Sequence, residues 1–316
     1  MSGAAIMLVG LAIDSLIGWP NALFRAIGHP VTWIGRLIHN LDGWLNIEGT
    51  EDAPRRIAGL VAALAVILVS AEAASVLTWL LPQGWAGLLV AGLLAWPLIA
   101  LRSLADHVRA VASPLAAGDL PGARQAVAMI VGRDPARLDD AGVARASLES
   151  LAENTSDGIV APIFWGVIFG LPGIVGYKAI NTLDSMIGHR TPRHEAFGWA
   201  AARIDDVANL IPARLTGLLF AAVSGRFRPA VALMLRDARL HRSPNAGWPE
   251  AAMAAALGVR LSGPRVYGDR IAEEPWVNAE AADPTAADLL RGLALYRRAM
   301  VLMAAILGLL AAPGLL

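Results

Sequence analysis

A long apolar run from Ile57 to Leu81 constrains the fold most, because it carries a single charged residue, Glu72. About 20 consecutive apolar residues are enough for a helix to cross the hydrocarbon core of a membrane. The turn Pro82-Gln83-Gly84 follows, and Trp85–Leu101 is apolar again. The two runs predict a transmembrane helical hairpin, whose uncharged turn lies outside if the positive-inside rule holds.

The composition extends this prediction to the whole chain. Of its 316 residues, 56% are hydrophobic and 16% are charged, whereas soluble domains average roughly a quarter charged residues. We therefore expect one membrane-embedded, all-α polytopic domain over 1–316, with about 4–6 membrane segments, some of them broken or re-entrant. The membrane segments are expected near 4–18, 57–81, 85–101, 159–177, 207–223 and 299–314. The polar segments 19–56, 102–148 and 225–298 are expected to be cytoplasmic.

The polar segments predict short helices and one small β-hairpin. His29-Pro30 forces an extended residue at His29, and the apolar spacing from Ile34 to Leu41 predicts an amphipathic surface helix. Val259–Asp269 resembles a hairpin that turns around Ser262-Gly263-Pro264. Other helices are expected near Ser103–Ala117, Pro121–Val131, Leu138–Ala152, Arg226–Arg242, Pro249–Leu257 and 283–298.

Several classes of protein are disfavoured. The chain has no cysteine and a net charge of zero, so disulfides, thiolate catalysis and nucleic-acid binding are not expected. The first residues lack a basic region and include Asp14, which favours a retained membrane segment over a cleaved signal peptide. No P-loop, G-x-S-x-G or H-E-x-x-H motif occurs.

The apolar segment Ile159–Tyr177 is interrupted by Pro162, Pro172 and several glycines. Its length permits one span, but its helix breakers also permit a broken or re-entrant helix. One full span would place a cluster of cations outside, against the positive-inside rule. We therefore predict the broken or re-entrant form. The cations are Lys178, Arg190, Arg193 and Arg203.

Three groups of polar residues beside the apolar segments suit catalysis. Glu149, Glu153 and Asp157 are spaced four apart, so one helix face would stack three carboxylates. A Mg²⁺ ion or an arginine would relieve their repulsion. The alternatives are a solvated acidic helix end, or a cap formed by 155–157 for the helix that follows.

The second group combines two pairs of oxygen ligands. Asn181 and Asp184 are three apart, and Asp205 and Asn209 are four apart, with Asp206 adjacent. Mg²⁺ accepts few carboxylates and completes its shell with water and phosphate oxygens, so these pairs favour a Mg²⁺–phosphate site. The alternative is a polar contact between helices.

The third group consists of phosphate-binding cations and a rigid loop. Arg190, Arg193, Arg203 and Arg214 could bind phosphate or anchor lipid headgroups. Lys178, the only lysine, could pair with a phosphate or extend to the membrane surface. The loop His241–Glu250 contains two prolines, and stiff loops of this kind often hold ligands. Its candidate ligand-binding residues are His241, Ser243 and Asn245.

Longer motifs resemble one known family, the cobinamide-phosphate synthases of cobalamin biosynthesis. Apart from the terminal apolar segments, the resemblance covers nearly the whole chain in order. The motifs are HPVTWIGRLI (His29–Ile38), VGRDP (Val131–Pro135), ESLAENTSDGIVAPIFW (Glu149–Trp165), YKAINTLDSMIGHR (Tyr177–Arg190), FGWAAARIDDVANLIPAR (Phe197–Arg214) and HRSPNAGWPEAAMAAALGVRLSGPRVYG (His241–Gly268).

The resemblance implies an enzyme of the bacterial inner membrane, and the distribution of arginines predicts that its active site is cytoplasmic. It would be an ATP-dependent amide ligase that joins adenosylcobyric acid to (R)-1-aminopropan-2-ol O-phosphate, or to a related aminoalcohol phosphate, giving adenosylcobinamide phosphate. ATP would activate the carboxylate as an acyl phosphate, and Mg²⁺ would offset phosphate charge. The partners would be the corrinoid, membrane lipid and other cobalamin-assembly enzymes, with no nucleic acid.

This reaction gives each candidate residue a role. Glu149, Glu153, Asp157, Asp184, Asp205 and Asp206 form the pool for Mg²⁺ and for the base that takes the ammonium proton. Asn181 and Asn209 would support the metal, and Lys178, Arg190, Arg203 and Arg214 would bind phosphate. The loop that carries His241, Ser243 and Asn245 would clamp a substrate. The competing functions are a Mg²⁺-dependent membrane phosphotransferase and a corrinoid or cation transporter.

Overall fold

The computed structural model describes residues 1–131, 135–267 and 270–314. The described chain is mainly helical, with four short strands. The helices are α1 (Gly3–Ile17), α2 (Asn21–Ile27), α3 (Pro30–Leu45), α4 (Asp52–Leu80), α5 (Trp85–Ala95), α6 (Leu101–Ala116), α7 (Leu120–Val127), α8 (Asp140–Thr155), α9 (Ala161–Ile187), α10 (Trp199–Ala208), α11 (Leu210–Val223), α12 (Phe227–Asp237), α13 (Gly247–Leu257) and α14 (Ala286–Ala311). The strands are β1 (Leu261–Ser262), β2 (Arg265–Tyr267), β3 (Arg270–Ala272) and β4 (Trp276–Val277).

The number of membrane segments agrees with the prediction. By length and composition, 4 helical stretches of the described chain could cross a membrane. They are Asp52–Leu80, Trp85–Ala116, Asp140–Ile187 and Ala286–Ala311. The total rises to 6 if α1 with α2–α3, and α10 with α11, each count as one span. The fold is therefore the predicted all-α polytopic membrane protein, although α14 begins well before residue 299.

The chain forms two compact units. Unit 1 contains Met1–Ala100, Ala161–Asn209 and Ile306–Leu316, and unit 2 contains Leu101–Val160 and Leu210–Ala305. Whether they act as the single domain expected from the sequence stays a prediction.

Within α9, the backbone turns sharply at Gly170, which has φ 67° and ψ −145°, far from helical values. A Cβ atom placed on Gly173 would lie 2.1 Å from the carbonyl oxygen of Trp165. Residues eight apart in a continuous helix are about 12 Å apart along its axis, so α9 is doubled back on itself. Length and composition alone would make it part of one span, but its backbone forms a helical hairpin.

Side-chain packing in unit 1 agrees with this hairpin. Ala161 and Tyr177, at opposite ends of the predicted segment, lie in one buried cluster with Ala208. The indole of Trp165 donates a hydrogen bond to the carbonyl of Ala208, 3.1 Å away. The backbone of 159–177 therefore confirms the prediction that this segment is not one straight span. Its re-entry with respect to a bilayer stays a prediction.

The second arm of this hairpin, after Gly170, packs against α4, α3 and α10. Close approach depends on glycine: a Cβ on Gly59 would lie 1.8 Å from the carbonyl oxygen of Phe197. The contact surface is a buried apolar cluster, so burial of this face stabilises unit 1. The cluster comprises Ile38, Ala62, Ala63, Val66, Ala179, Leu183, Ile187, Phe197 and Ala201.

Helices α1 and α5 of unit 1 run in the same direction and touch along small residues. A Cβ on Gly87 would lie 3.2 Å from the sulfur of Met1, and one on Gly10 would lie 3.3 Å from the carbonyl oxygen of Gly92. A Cβ on Gly10 would also lie 3.3 Å from the amide nitrogen of Trp96, so α5 ends beside the middle of α1, well before Ile17.

In unit 1, the start of α3 follows the expectation for His29-Pro30. His29 is extended, with φ −120° and ψ 141°. Its Nδ1 accepts a hydrogen bond from the amide of Val31 at 3.2 Å. His29 thus caps the predicted amphipathic helix, which runs to Leu45.

The predicted β-hairpin in unit 2 has different partners from those expected. β1 pairs with β4 and β2 pairs with β3, both antiparallel. The segment Ser262-Gly263-Pro264 is therefore not the turn of a hairpin, because β1 and β2 on either side of it do not pair with each other. The expected hairpin also included 268–269, which lie outside the described residues, as do Gly132–Asp134 of the motif VGRDP.

Two buried carboxylates in unit 2 accept hydrogen bonds from the backbone amides of two residues with unusual φ angles. Ser262 and Asn278 are non-glycine residues with φ of 61° and 57°. Glu149 Oε1 accepts from the Ser262 amide at 2.8 Å, and Asp237 Oδ2 accepts from the Asn278 amide at 2.8 Å. Because positive φ is unfavourable for these residues, the carboxylates help to fix β1 and β4.

An arginine–aspartate cluster also contacts β4, through Trp276. Arg260 donates two hydrogen bonds to Asp283, at 2.9 and 2.6 Å, and Arg145 donates a third at 2.9 Å. The two guanidinium carbons lie 4.2 and 4.6 Å from the ring centre of Trp276. The hydrogen bonds from Arg260 hold the pKa of Asp283 below its usual value.

Candidate functional site

The three acidic residues predicted to stack on one helix face have different environments. Glu149 is buried, with 5% of its surface exposed, and binds the Ser262 amide. Glu153 is exposed and Asp157 is half-buried. Asp157 lies in a π-turn, Ser156–Val160, that shifts the register of the helix. Among the described residues, no three acidic or histidine side chains form a group that could hold a metal ion, so these three carboxylates do not form a metal site by themselves.

The π-turn also excludes the alternative interpretation, in which residues 155–157 cap the next helix. α8 continues directly into it, and Thr155 Oγ1 donates to the Leu151 carbonyl at 2.6 Å. The Ser156 hydroxyl is buried without a hydrogen-bond partner among the described residues. Single π-turns inside helices often mark functional sites. Sequence reasoning missed Ser156, since the motif around it indicates a cap as readily as a π-turn.

In unit 1, Asp205 and Asn209 form the pair that their spacing predicts. Asn209 is buried, and its Nδ2 donates to Asp205 Oδ2 at 3.0 Å. Its Oδ1 accepts from the hydroxyl of Tyr177 at 2.9 Å. Tyr177, on the second arm of α9, is a residue that the sequence reasoning missed because aromatic residues in apolar runs usually pack in the core. The chain Tyr177–Asn209–Asp205 fixes one carboxylate of the candidate site.

The other unit 1 candidates lie nearby on α9 and α10. Lys178 is buried, and its Nζ lies 3.5 Å from Asn181 Oδ1. The carboxylate of Asp206 acts electrostatically on that of Asp184. Arg203 donates to Asp206 Oδ2 at 2.9 Å. Asp184 is therefore within electrostatic range of Asp206, which is itself paired with Arg203.

This donor set fits a hydrated Mg²⁺–phosphate complex better than a closed metal cage. Mg²⁺ is commonly held by one or two carboxylates, with water and substrate phosphates completing its octahedral shell. Asp184 and Asp206 supply two carboxylates, and Asp205 with Asn209 lies on the same helix end. No third acidic or histidine ligand joins a pair anywhere in the described residues. Binding of Mg²⁺ and of a nucleotide by these residues stays a prediction.

The arginines of unit 1 differ in whether their guanidinium groups are already bound within the protein or exposed to a ligand. Arg193 donates to Asp42 Oδ2 and Glu48 Oε1, both at 2.9 Å. Its hydrogen bond to Asp42 raises its pKa above the usual value. Arg190 is exposed. Arg193 therefore fixes the segment before α10 to α3, whereas Arg190 is open to a phosphate.

In unit 2, the residues of the predicted rigid loop are held together. Arg214 donates to Asn245 Oδ1 at 2.9 Å and lies 4.4 Å from the ring centre of Trp248. Ser243 Oγ accepts from the Asn245 amide at 3.2 Å, and the Ser243 amide donates to His241 Nδ1 at 3.0 Å. Hydrogen bonds from its own side chains hold the loop in one conformation, which agrees with the stiff loop that its prolines predict.

A buried histidine–glutamate pair lies beneath this loop. His241 Nε2 is 3.6 Å from Glu250 Oε1, and the two side chains are 5% and 1% exposed. Because Nδ1 accepts a hydrogen bond, the proton of a neutral His241 ring is on Nε2, facing the carboxylate. Sequence reasoning missed Glu250, whose spacing from His241 matches no helical pattern. The pair orients the loop rather than meeting solvent.

Together these features define a class of protein. The chain is a polytopic helical membrane protein that gathers carboxylates, a buried lysine and arginines in unit 1, and an ordered polar loop in unit 2.

The comparisons with known proteins assign the family. The chain belongs to the CobD/Cbib protein family, whose model matches residues 7–296. It is 65% identical over 311 residues to the cobalamin biosynthesis protein CobD of Rhodobacter capsulatus, covering 98% of each chain. Proteins with the same name from a Sinorhizobium species and from Brucella suis are each 47% identical, over 307 and 306 residues, covering 95% and 94% of both chains. No solved structure matches the chain.

Proposed function

We propose that this protein acts in cobalamin biosynthesis as an ATP-dependent amide ligase of the inner membrane. It would join the free carboxylate of adenosylcobyric acid to the amine of (R)-1-aminopropan-2-ol O-phosphate, or of a close relative. The observation that carries the proposal is the full-length similarity to proteins named for cobalamin biosynthesis, at 65% identity over 98% of the chain. The cytoplasmic face is proposed from the distribution of arginines.

The chemistry of amide formation fits the groups in unit 1. A carboxylate is a poor electrophile, and an ammonium ion is not a nucleophile, so the reaction needs phosphoryl activation and a base. Asp184 and Asp206 are the residues that would hold Mg²⁺, which supplies charge compensation for ATP when bound. Arg190 and Arg203 would bind phosphate oxygens. Asp205, fixed by Asn209, is the proposed base for the ammonium group.

Unit 2 supports the proposal through its ordered loop. His241, Ser243 and Asn245 are held in one conformation by hydrogen bonds within the loop and by Arg214. A preformed surface of this kind loses little conformational entropy when a ligand binds. We propose that it contacts the corrinoid substrate.

The test is an assay of purified protein in detergent with adenosylcobyric acid, ATP, Mg²⁺ and a panel of aminoalcohol phosphates. Mass spectrometry of the corrinoids should show adenosylcobinamide phosphate, with ADP released in equal amount. Transfer of a phosphoryl group without amide formation would favour a phosphotransferase instead. Accumulation of unmodified corrinoid inside proteoliposomes would favour a transporter.

Two substitutions test the metal assignment. Asp184→Asn and Asp206→Asn should lower the rate by at least about tenfold, and more Mg²⁺ should be needed for half-maximal rate. Asp106→Asn is the matched control, because Asp106 also pairs with an arginine three residues away, at 2.6 Å, on an exposed helix surface. Equal activity in all three variants would contradict the assignment.

A further inference from the structure

A single acidic side chain, Glu72, lies on the outer face of the membrane-spanning helix α4. Glu72 is exposed, and within the described residues its carboxylate has no hydrogen bond or ion pair. Ala63 is nine residues earlier, which is two and a half helical turns, and it is fully buried in the apolar cluster of unit 1. Glu72 is therefore on the side of α4 directly opposite the core.

The position of Glu72 along α4 places it inside the hydrocarbon layer. It is the only charged residue between Ile57 and Leu80, a stretch of about 36 Å that is long enough to cross the layer. Trp79, which is 82% exposed, suits the membrane–water interface and lies about 10 Å further along the helix axis. A glutamate side chain is too short to reach that interface. Because an unpaired ionisable group at membrane depth is costly, Glu72 needs a partner within the membrane.

Glu72 belongs to a narrow stripe of residues spaced alternately four and three apart along α4. The stripe consists of Val61, Ala65, Leu68, Glu72, Ser75 and Trp79. This spacing, with a mean of 3.5 residues, is the one at which two helices pack along a shared seam. In such a seam, a single polar residue can specify the register and the number of helices. The stripe contains no cation, so it has no charge of its own to pair with Glu72.

Two copies of this stripe can satisfy each other. An isolated carboxylate in hydrocarbon takes up a proton instead of staying charged, and a protonated carboxyl group carries both a donor and an acceptor. Two copies of a membrane protein with the same orientation pack about a twofold axis perpendicular to the membrane, which places identical residues at the same depth. A twofold contact between α4 helices would therefore bring the two Glu72 carboxyl groups together.

We propose that the Glu72 stripe of α4 is the interface of a homodimer in the membrane. The Glu72 carboxyl groups of the two copies hydrogen-bond to each other, and Leu68 packs beside them. Hydrogen bonds between polar side chains stabilise helix pairs in membranes. The proposal rests on α4 alone and does not depend on the proposed function.

The first test measures association in the membrane. Donor-labelled and acceptor-labelled copies, each carrying the dye on a C-terminal tag, are reconstituted into phosphatidylcholine liposomes at decreasing protein-to-lipid ratios. Energy transfer then gives the dissociation constant of the dimer. Glu72→Leu removes the hydrogen bonds and should raise this constant by about threefold to thirtyfold. Glu72→Gln keeps a donor and an acceptor, so its constant should stay close to that of the wild type.

The second test maps the face of α4 that forms the contact. The chain has no cysteine, so single-cysteine variants can be cross-linked only to another copy. Leu68→Cys lies on the stripe, one turn before Glu72, and mild oxidation in membranes should link it into a disulfide-bonded dimer. Leu77→Cys is the matched control, because Leu77 is also exposed, at 47%, but lies about 140° around the helix from Glu72. Its two copies should stay unlinked, since a disulfide needs Cα atoms within about 7 Å.

The outcomes decide which neighbour covers the stripe. Weaker association of Glu72→Leu, together with cross-linking of Leu68→Cys alone, supports the homodimer. Wild-type protein that stays monomeric at every protein-to-lipid ratio overturns it, and favours a different membrane protein with a cation at this depth, or lipid alone. Equal dissociation constants for the wild type and Glu72→Leu also overturn it, as does equally fast cross-linking of Leu68→Cys and Leu77→Cys.

Discussion

The hairpin in α9 predicts a sharp difference between two substitutions of glycine by alanine. Gly173 lies against the backbone of the first arm, where a Cβ would be 2.1 Å from the Trp165 carbonyl oxygen and 2.8 Å from Phe169 Cβ. Gly308 lies inside α14, and a Cβ added there would meet no neighbouring heavy atom within 4 Å. The same methyl group therefore meets backbone at one position and open space at the other.

The magnitudes follow from these surroundings. Overpacking a well-packed contact costs typically about 1–3 kcal/mol, and the backbone at Trp165 cannot move aside as a flexible side chain could. In a helix interior, alanine is more favourable than glycine by roughly 0.5–1 kcal/mol. Gly173→Ala should lower the free energy of unfolding by about 1–3 kcal/mol, while Gly308→Ala should leave it equal or slightly higher.

The assay is equilibrium unfolding of each variant in mixed micelles, with increasing denaturing detergent, followed by circular dichroism and tryptophan fluorescence. The second arm carries Lys178, Asn181 and Asp184, so Gly173→Ala should also reduce amide ligation under conditions where it stays folded. If both variants unfold at the same detergent fraction, the two arms are not in contact and the hairpin geometry is refuted.

Two further predictions concern unit 2. The pKa of Asp283 is held below its usual value of about 3.9 by the hydrogen bonds from Arg260, so its stabilising contribution is present above that pH and is lost as the pH falls through the lowered pKa. Asp283→Asn should cost about 2 kcal/mol at neutral pH, and its unfolding midpoint should fall less than that of the wild type between about pH 5 and 3. Glu149→Gln keeps an oxygen for the Ser262 amide, so amide ligation should be largely retained, whereas Glu149→Ala should lower the unfolding midpoint. Loss of activity in the stable glutamine variant would instead identify Glu149 as a catalytic base.

Features governed by local physical chemistry were predictable from the sequence. Long apolar runs indicated the spans, and Pro30 indicated an extended His29. A helix was expected to end at Leu257, and Gly258, which follows it, has φ 72° at the end of α13. Helix breakers in 159–177 indicated that this segment is not one straight span. Each of these depends on neighbours in sequence, so one chain was enough to derive it.

Features that depend on distant partners were not predictable. β1 and β4 are strands of two residues each, too short for an alternation pattern. Their pairing depends on carboxylates from helices α8 and α12 that are far away in sequence. The π-turn after Thr155 has no signature in residue type, because Thr, Ser and Asp also favour caps. The sequence therefore indicated which acidic residues are important, but not which partners their side chains contact.

The arginines show how partners change a functional assignment. From residue type alone, Arg190 and Arg214 were equal candidates for binding phosphate. The guanidinium of Arg214 donates to the carbonyls of Leu210 and Pro244 and to Asn245, and it stacks on Trp248. Binding a phosphate would compete with these contacts, which fix the loop that Arg214 supports. Arg190 is exposed and lies in the segment that follows Asp184, so it is the stronger candidate for the phosphate of a nucleotide.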